Sequence, residues 1–164
     1  MIWLYSLILE GFTLEIPHET YQLDNGLRVI LIEDHTSPQV VVNTWYQVGS
    51  YDDPQGASGF AHLFEHLMFM GTTAIPNKDF DIRMEVVGGW NNASTGDDRT
   101  NYYDVGPSEI ADLLVYMEAD RMVNLDITQN KLDLQREVVR NERRQNYEDA
   151  PYGKVWLEMP EMLY

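Results

Sequence analysis

Residues 59–71 read Gly59-Phe60-Ala61-His62-Leu63-Phe64-Glu65-His66-Leu67-Met68-Phe69-Met70-Gly71, and the architecture of the chain turns on this run. Ser58 before it is a candidate N-cap, and Gly71 behind it can close a helix. The pattern therefore predicts a helix from about Ser58 to Met70. At roughly 100° per residue, His62, Glu65 and His66 share an arc of about 100° on that helix. Phe60, Leu63, Phe64, Leu67 and Met68 occupy the remaining faces. Polar groups on a mostly apolar helix need a partner.

Two imidazoles at i and i+4 can hold one metal ion from one face. A carboxylate between them in angle can hold a water on that ion. The order His-x-x-Glu-His is the inverted form of the commoner zinc motif. Zinc lowers the pKa of its water towards ~7, and the carboxylate takes the proton as the oxygen attacks a carbonyl. A single histidine on a helix is usually structural. Here two of only four histidines stand at metal spacing around a glutamate, a coincidence expected in about one such chain in a hundred or fewer.

A catalytic zinc usually takes three protein ligands and keeps one position open. The chain has no cysteine, so the third ligand must be a carboxylate or another histidine. His18 and His35 lie in or near an N-terminal hairpin, and His35 reads as solvated. The segment Gln135-Arg136-Glu137-Val138-Val139-Arg140-Asn141-Glu142 offers two carboxylates. Glu142 is i+4 from Val138, i+3 from Val139 and i+7 from Gln135, on the apolar face. Glu137, about 140° away, joins a polar face. Glu142 therefore points inward, where a carboxylate needs a cation or full hydrogen bonding. Arg136, Arg140, Arg143 and Arg144 offer it ion pairs as an alternative to a metal.

Around these segments the chain reads strand, strand, helix, helix, strand, helix, helix. Residues 20–33 form a hairpin about Asp24-Asn25-Gly26, where Asn and Gly tolerate positive φ, with residues 27–32 as its second strand. Residues 40–48 alternate as another strand. Val40, Val42, Thr44, Tyr46 and Val48 lie on one face and Val41, Asn43, Trp45 and Gln47 on the other. A helix is expected at 78–87 and a strand at 99–105. Ser108 is expected to cap a helix to about Asn124, and Thr128 a last long helix to about Asp149, ended by Pro151 and Gly153. This order predicts an α+β architecture, an antiparallel-type sheet packed against helices in two layers. Small residues in the cluster at 88–103 flank a candidate strand and would leave its edge open to an extended peptide; a Gly-rich turn before an ordinary strand is the alternative.

Length and composition fit one globular domain, with 164 residues and 44% hydrophobic content. Eleven basic residues against 27 acidic ones leave a net charge of −16. That field repels nucleic acid and anionic membrane. Residues 1–9 are apolar but far short of the ~20 needed for a transmembrane span. Residues 1–19 read as an N-terminal tail or the remnant of an export signal, with 20–164 as the domain. The chain ends without a capping element and reads as a truncated copy of a larger domain.

Taken together, Leu23-Asp24-Asn25-Gly26-Leu27, Gly59-Phe60-Ala61-His62-Leu63-Phe64-Glu65-His66, Asn92-Ala93-Ser94-Thr95, Tyr102-Tyr103, residues 136–144 and Pro151-Tyr152-Gly153 closely resemble the pitrilysin/insulinase/mitochondrial-processing-peptidase family of zinc peptidases. The likeness runs from about Tyr21 to Gly153. It implies one zinc held by His62, His66 and Glu142, with Glu65 as general base, in a metalloendopeptidase. It implies that Asn92, Ala93, Ser94 and Thr95 form the strand that binds peptide substrate. The family usually carries a glutamate seven positions before the third ligand, where this chain has Gln135, so an outer hydrogen bond to a ligand is the expected role there. The resemblance also implies a second homologous half, on the same chain or a partner; it leaves the compartment open between a periplasmic or otherwise exported bacterial setting and the cytoplasm. A non-catalytic subunit that scaffolds an active partner is the competing reading, and a purely structural zinc site, lacking a fourth ligand, is the third.

Overall fold

The computed structural model describes residues 15–76 and 79–163. The apolar segment at residues 1–9 and the expected helix start at Lys78 lie outside them. The described chain divides into two units, residues up to Pro38 and residues from Gln39 onward.

The first unit is a β-hairpin. Strand β1 (Glu19–Gln22) pairs antiparallel with β2 (Arg28–Leu31), from Glu19 opposite Leu31 to Gln22 opposite Arg28. Its turn lies at Asp24-Asn25-Gly26, as the sequence predicts. Only Gly26 takes a positive φ, at 91°. Asn25 instead uses its side chain, accepting the Leu27 amide at 3.1 Å.

The second unit carries a three-stranded antiparallel sheet in the order β3-β5-β4. Its strands are β3 (Gln39–Tyr46), β4 (Trp90–Thr95) and β5 (Thr100–Pro107). β3 alternates as its sequence predicts, with Val40, Val42, Thr44 and Tyr46 facing inward. Helices α1 (Phe60–Leu67), α2 (Asp79–Val86), α3 (Ala111–Val123), α4 (Gln129–Arg143) and α5 (Gly153–Leu163) complete the unit. Ile75, Phe80, Met84, Leu114 and Met117 form the core, with Val40 and Val42 of the sheet packed against it. The fold is the α+β class expected, with antiparallel sheets.

Four local expectations need correction. First, Ser58 does not cap α1. The N-cap is Gly59, in the left-handed region at φ 88°. The cap comes from Asp53, whose Oδ2 accepts the Gly59 amide at 2.7 Å and whose Oδ1 accepts the Ala61 amide at 2.8 Å. A carboxylate reaching back from the preceding loop satisfies two amides that a local serine would have to share. Asp53→Ala should therefore cost about 1 kcal/mol, read as a lowered urea midpoint, with Asp53→Asn intermediate.

Second, Ser108 opens a 3₁₀ turn (Ser108–Ile110), and α3 starts after Ile110 without a side-chain cap. Third, the order read along the chain lacks a strand at Trp90–Thr95, which only the resemblance supplied: β4 is a full strand, although Asn91, Asn92 and Ala93 are poor strand formers. Its six-residue ladder with β5, from Trp90 opposite Val105 to Thr95 opposite Thr100, overrides that propensity. Fourth, the helix that Thr128 caps is not the last. It does run on past Arg143, through a wider π turn at Arg144–Glu148. After the break at Tyr152, with φ 61°, α5 begins at Gly153. A Cβ at Gly153 would lie 2.3 Å from the Tyr147 carbonyl oxygen, so only glycine fits that approach.

Beneath the sheet lies a buried cluster of charge. Arg121, Asp104 and Glu118 are all nearly inaccessible to solvent. The Arg121 guanidinium pairs with Glu118, and its Nη2 lies 3.8 Å from Asp104 Oδ1. It packs over the rings of Tyr102, Phe80 and Phe69 at 4.6, 4.9 and 5.3 Å.

Candidate metal centre

α1 and α4 together build the site. On α1, His62 and His66 present their Nε2 atoms 3.3 Å apart. From α4, Glu142 Oε2 lies 3.6 Å from His62 Nε2 and 3.4 Å from His66 Nε2. Among the described residues this is the one group of three or more His, Asp or Glu side chains spaced to hold a metal ion. All three are partly buried, so the site is open on one side.

The spacing tests the group for zinc. Tetrahedral bonds of about 2.0–2.2 Å to nitrogen and oxygen place neighbouring ligand atoms roughly 3.3–3.6 Å apart. The three separations here span that same interval. Three protein donors, with no fourth among the described residues, leave one position for water or substrate. The donors fit zinc in type, number and spacing.

His66 has a further partner. Its Nδ1 lies 3.2 Å from Oε1 of Gln135, one α4 face with Glu142 at i+7. A proton on Nδ1 leaves the Nε2 lone pair for a metal. Glu137 lies on the exposed side of α4 and pairs with Arg140 at 2.6 Å. His18 and His35 bond within their own unit, to Ile16 O at 2.9 Å and to Glu33 at 2.7 Å.

Glu65 stands between the two histidines on α1 and is partly buried. Its Oε2 accepts a hydrogen bond from Thr95 Oγ1 of β4. Thr95 was expected only to line the peptide-binding strand; its hydroxyl is directed at the carboxylate. Of the other three residues on that strand, Asn92 is exposed, and its Oδ1 accepts the Ala93 amide at 2.8 Å. Ser94 Oγ donates to Asn101 Oδ1 at 2.8 Å. Because β4 is the outer strand of the β3-β5-β4 order, its other edge carries no strand among the described residues.

Behind Glu65 lies Tyr102, pointing inward from β5. Burial pushes its phenol well above the ordinary range, and the Glu65 carboxylate pushes it further the same way. Tyr102 is therefore a neutral wall at the back of the carboxylate. The Tyr102-Tyr103 pair was part of the resemblance, but only the register of β5 tells which tyrosine faces inward.

The family model described as Insulinase (Peptidase family M16) matches residues 28–159. The chain belongs to the insulinase peptidase family. Among its members, the zinc protease PqqE of Helicobacter pylori is 32% identical over 148 residues, 90% of this chain and 33% of that protein. The crystal structure of a protease from Helicobacter pylori superposes with a TM-score of 0.82 at 32% identity, over 85% of this chain and 34% of that one. The mitochondrial cytochrome b-c1 complex subunit 1 of Bos taurus is 30% identical over 125 residues, 76% of this chain and 26% of that subunit. The chain thus spans about a third or less of the length of these relatives.

Proposed function

We propose that this chain is the zinc-binding part of a metalloendopeptidase that hydrolyses peptides and unfolded segments, with His62, His66 and Glu142 holding one zinc and Glu65 acting as general base. The observation that carries the reading is the triangle of donor atoms at tetrahedral spacing, with Glu65 beside it on the same helix face. When bound, zinc would activate a water towards ionisation near pH ~7 and polarise the substrate carbonyl.

The chain's own residues do the rest. Thr95 holds Glu65 Oε2, which leaves Oε1 to take a proton from the attacking water and return it to the departing amine. The free edge of β4 would bind an extended substrate backbone by adding a strand beside the carboxylate. This selects flexible peptides over folded proteins. Gln135 fixes His66 from behind. A second homologous half, on the same chain or on a partner, would supply the rest of the substrate-binding surface.

The zinc-loaded chain should therefore cleave an unfolded peptide slowly on its own, in a reaction stopped by chelation and restored by zinc. Glu65→Gln should lower that rate about 10²–10⁴-fold while zinc stays bound. Cleavage that survives chelation or Glu65→Gln contradicts the reading. Fast turnover by the chain alone contradicts the need for a second half.

The similarity to a cytochrome b-c1 complex subunit keeps a second reading in play, a scaffold that pairs with an active partner. The complete set of His62, Glu65, His66 and Glu142 supports the catalytic one. A folded chain that takes up no zinc would reverse that order.

A further inference from the structure

The amide of Gln135 is held at both ends. Its Oε1 faces His66 Nδ1 at 3.2 Å, and its Nε2 donates to the Met70 sulfur at 2.8 Å. Met70 is almost fully buried at the end of the segment that carries the histidines. A thioether sulfur accepts hydrogen bonds and donates none. Only the amide NH₂ can face it without lone-pair repulsion. That places the amide oxygen towards His66.

The consequence reaches the ring. An amide oxygen accepts, so His66 must present a proton on Nδ1. Nε2 then carries the lone pair that faces His62 and Glu142. With the amide reversed, its NH₂ would meet Nδ1, the proton would move to Nε2, and the donor triangle would lose one corner. A carboxylate at position 135 needs no such guide, because both of its oxygens accept. A glutamine does.

We infer that Met70 is a positioning residue for the metal centre: it fixes the orientation of the Gln135 amide and thereby the tautomer of His66. This rests on the reading of His66 as a zinc ligand. The tautomer itself is measurable without any metal.

The test is long-range ¹⁵N–¹H NMR of the histidine rings in metal-free chain, at a pH where the rings are neutral. Wild type should show His66 with its proton on Nδ1. Met70→Leu keeps the size and apolar character of the side chain but removes the acceptor. His66 should then populate both tautomers, and zinc affinity by chelator competition should fall about 3- to 10-fold, part of the ~10–100-fold lost when an outer-shell partner is removed. In a Gln135→Glu background the same Met70→Leu change should alter neither readout.

A His66 tautomer unchanged by Met70→Leu overturns the inference. So does an equal effect of Met70→Leu in both backgrounds, which would mark simple packing loss. A shifted tautomer in a chain that takes no zinc would keep the positioning role and remove the zinc reading instead.

Discussion

Glu142→Gln should weaken zinc binding by on the order of 100-fold or more, beyond the ~10–100-fold typical of outer-shell partners. The size follows from charge and number together. Glu142 is the only anion of the three proposed donors and one third of the proposed ligand set. An amide keeps the shape but supplies a neutral oxygen. Glu137→Gln, five positions away and paired with Arg140, should leave affinity unchanged. Chelator competition on the two variants reads the difference directly. Equal affinities would move the third ligand elsewhere.

The second large effect lies in the core. Arg121→Met should destabilise the fold by about 3–5 kcal/mol, because it leaves Asp104 and Glu118 buried without their cation. A domain of this size holds only about 5–15 kcal/mol in total, so the variant should melt about 6–20 °C below wild type. It should also regain stability as pH falls and both carboxyls take up protons. Adding Asp104→Asn and Glu118→Gln should restore much of the loss at neutral pH.

Wild type already carries part of this pH dependence. Burial pushes Asp104 up to about 6, against the opposing pull of Arg121. A carboxyl that binds its proton more tightly folded than unfolded adds stability that is complete below about pH 4 and lost as pH rises through about 6. Asp104→Asn should flatten that slope of melting temperature between pH 4 and 7. Parallel slopes in wild type and variant would show that Asp104 does not titrate there.

Much of the site was legible because helical spacing is rigid. His62, Glu65 and His66 share one face by arithmetic alone, and the contrast between Glu142 and Glu137 followed from their neighbours on α4. What the sequence hid were contacts between elements distant in the chain. Thr95 meets Glu65 across 30 positions, and Met70 meets Gln135 across 65. Asp53 caps α1 from the loop that precedes the helix, six and eight residues before the amides it accepts. β4 was seen as an open edge through resemblance and not through propensity, since its ladder with β5 is what makes it a strand. The buried cluster leaves its trace in the spacing of α3. Leu114, Met117, Glu118 and Arg121 stand at i, i+3, i+4 and i+7 on α3, so two charges fall on an apolar stripe.

The most direct measurement is the zinc content of the folded wild-type chain, by elemental analysis after loading with zinc and removal of the excess. The convergence of His62, His66 and Glu142 predicts one zinc per chain. A folded chain that retains none would contradict the metal centre and every catalytic role built on it.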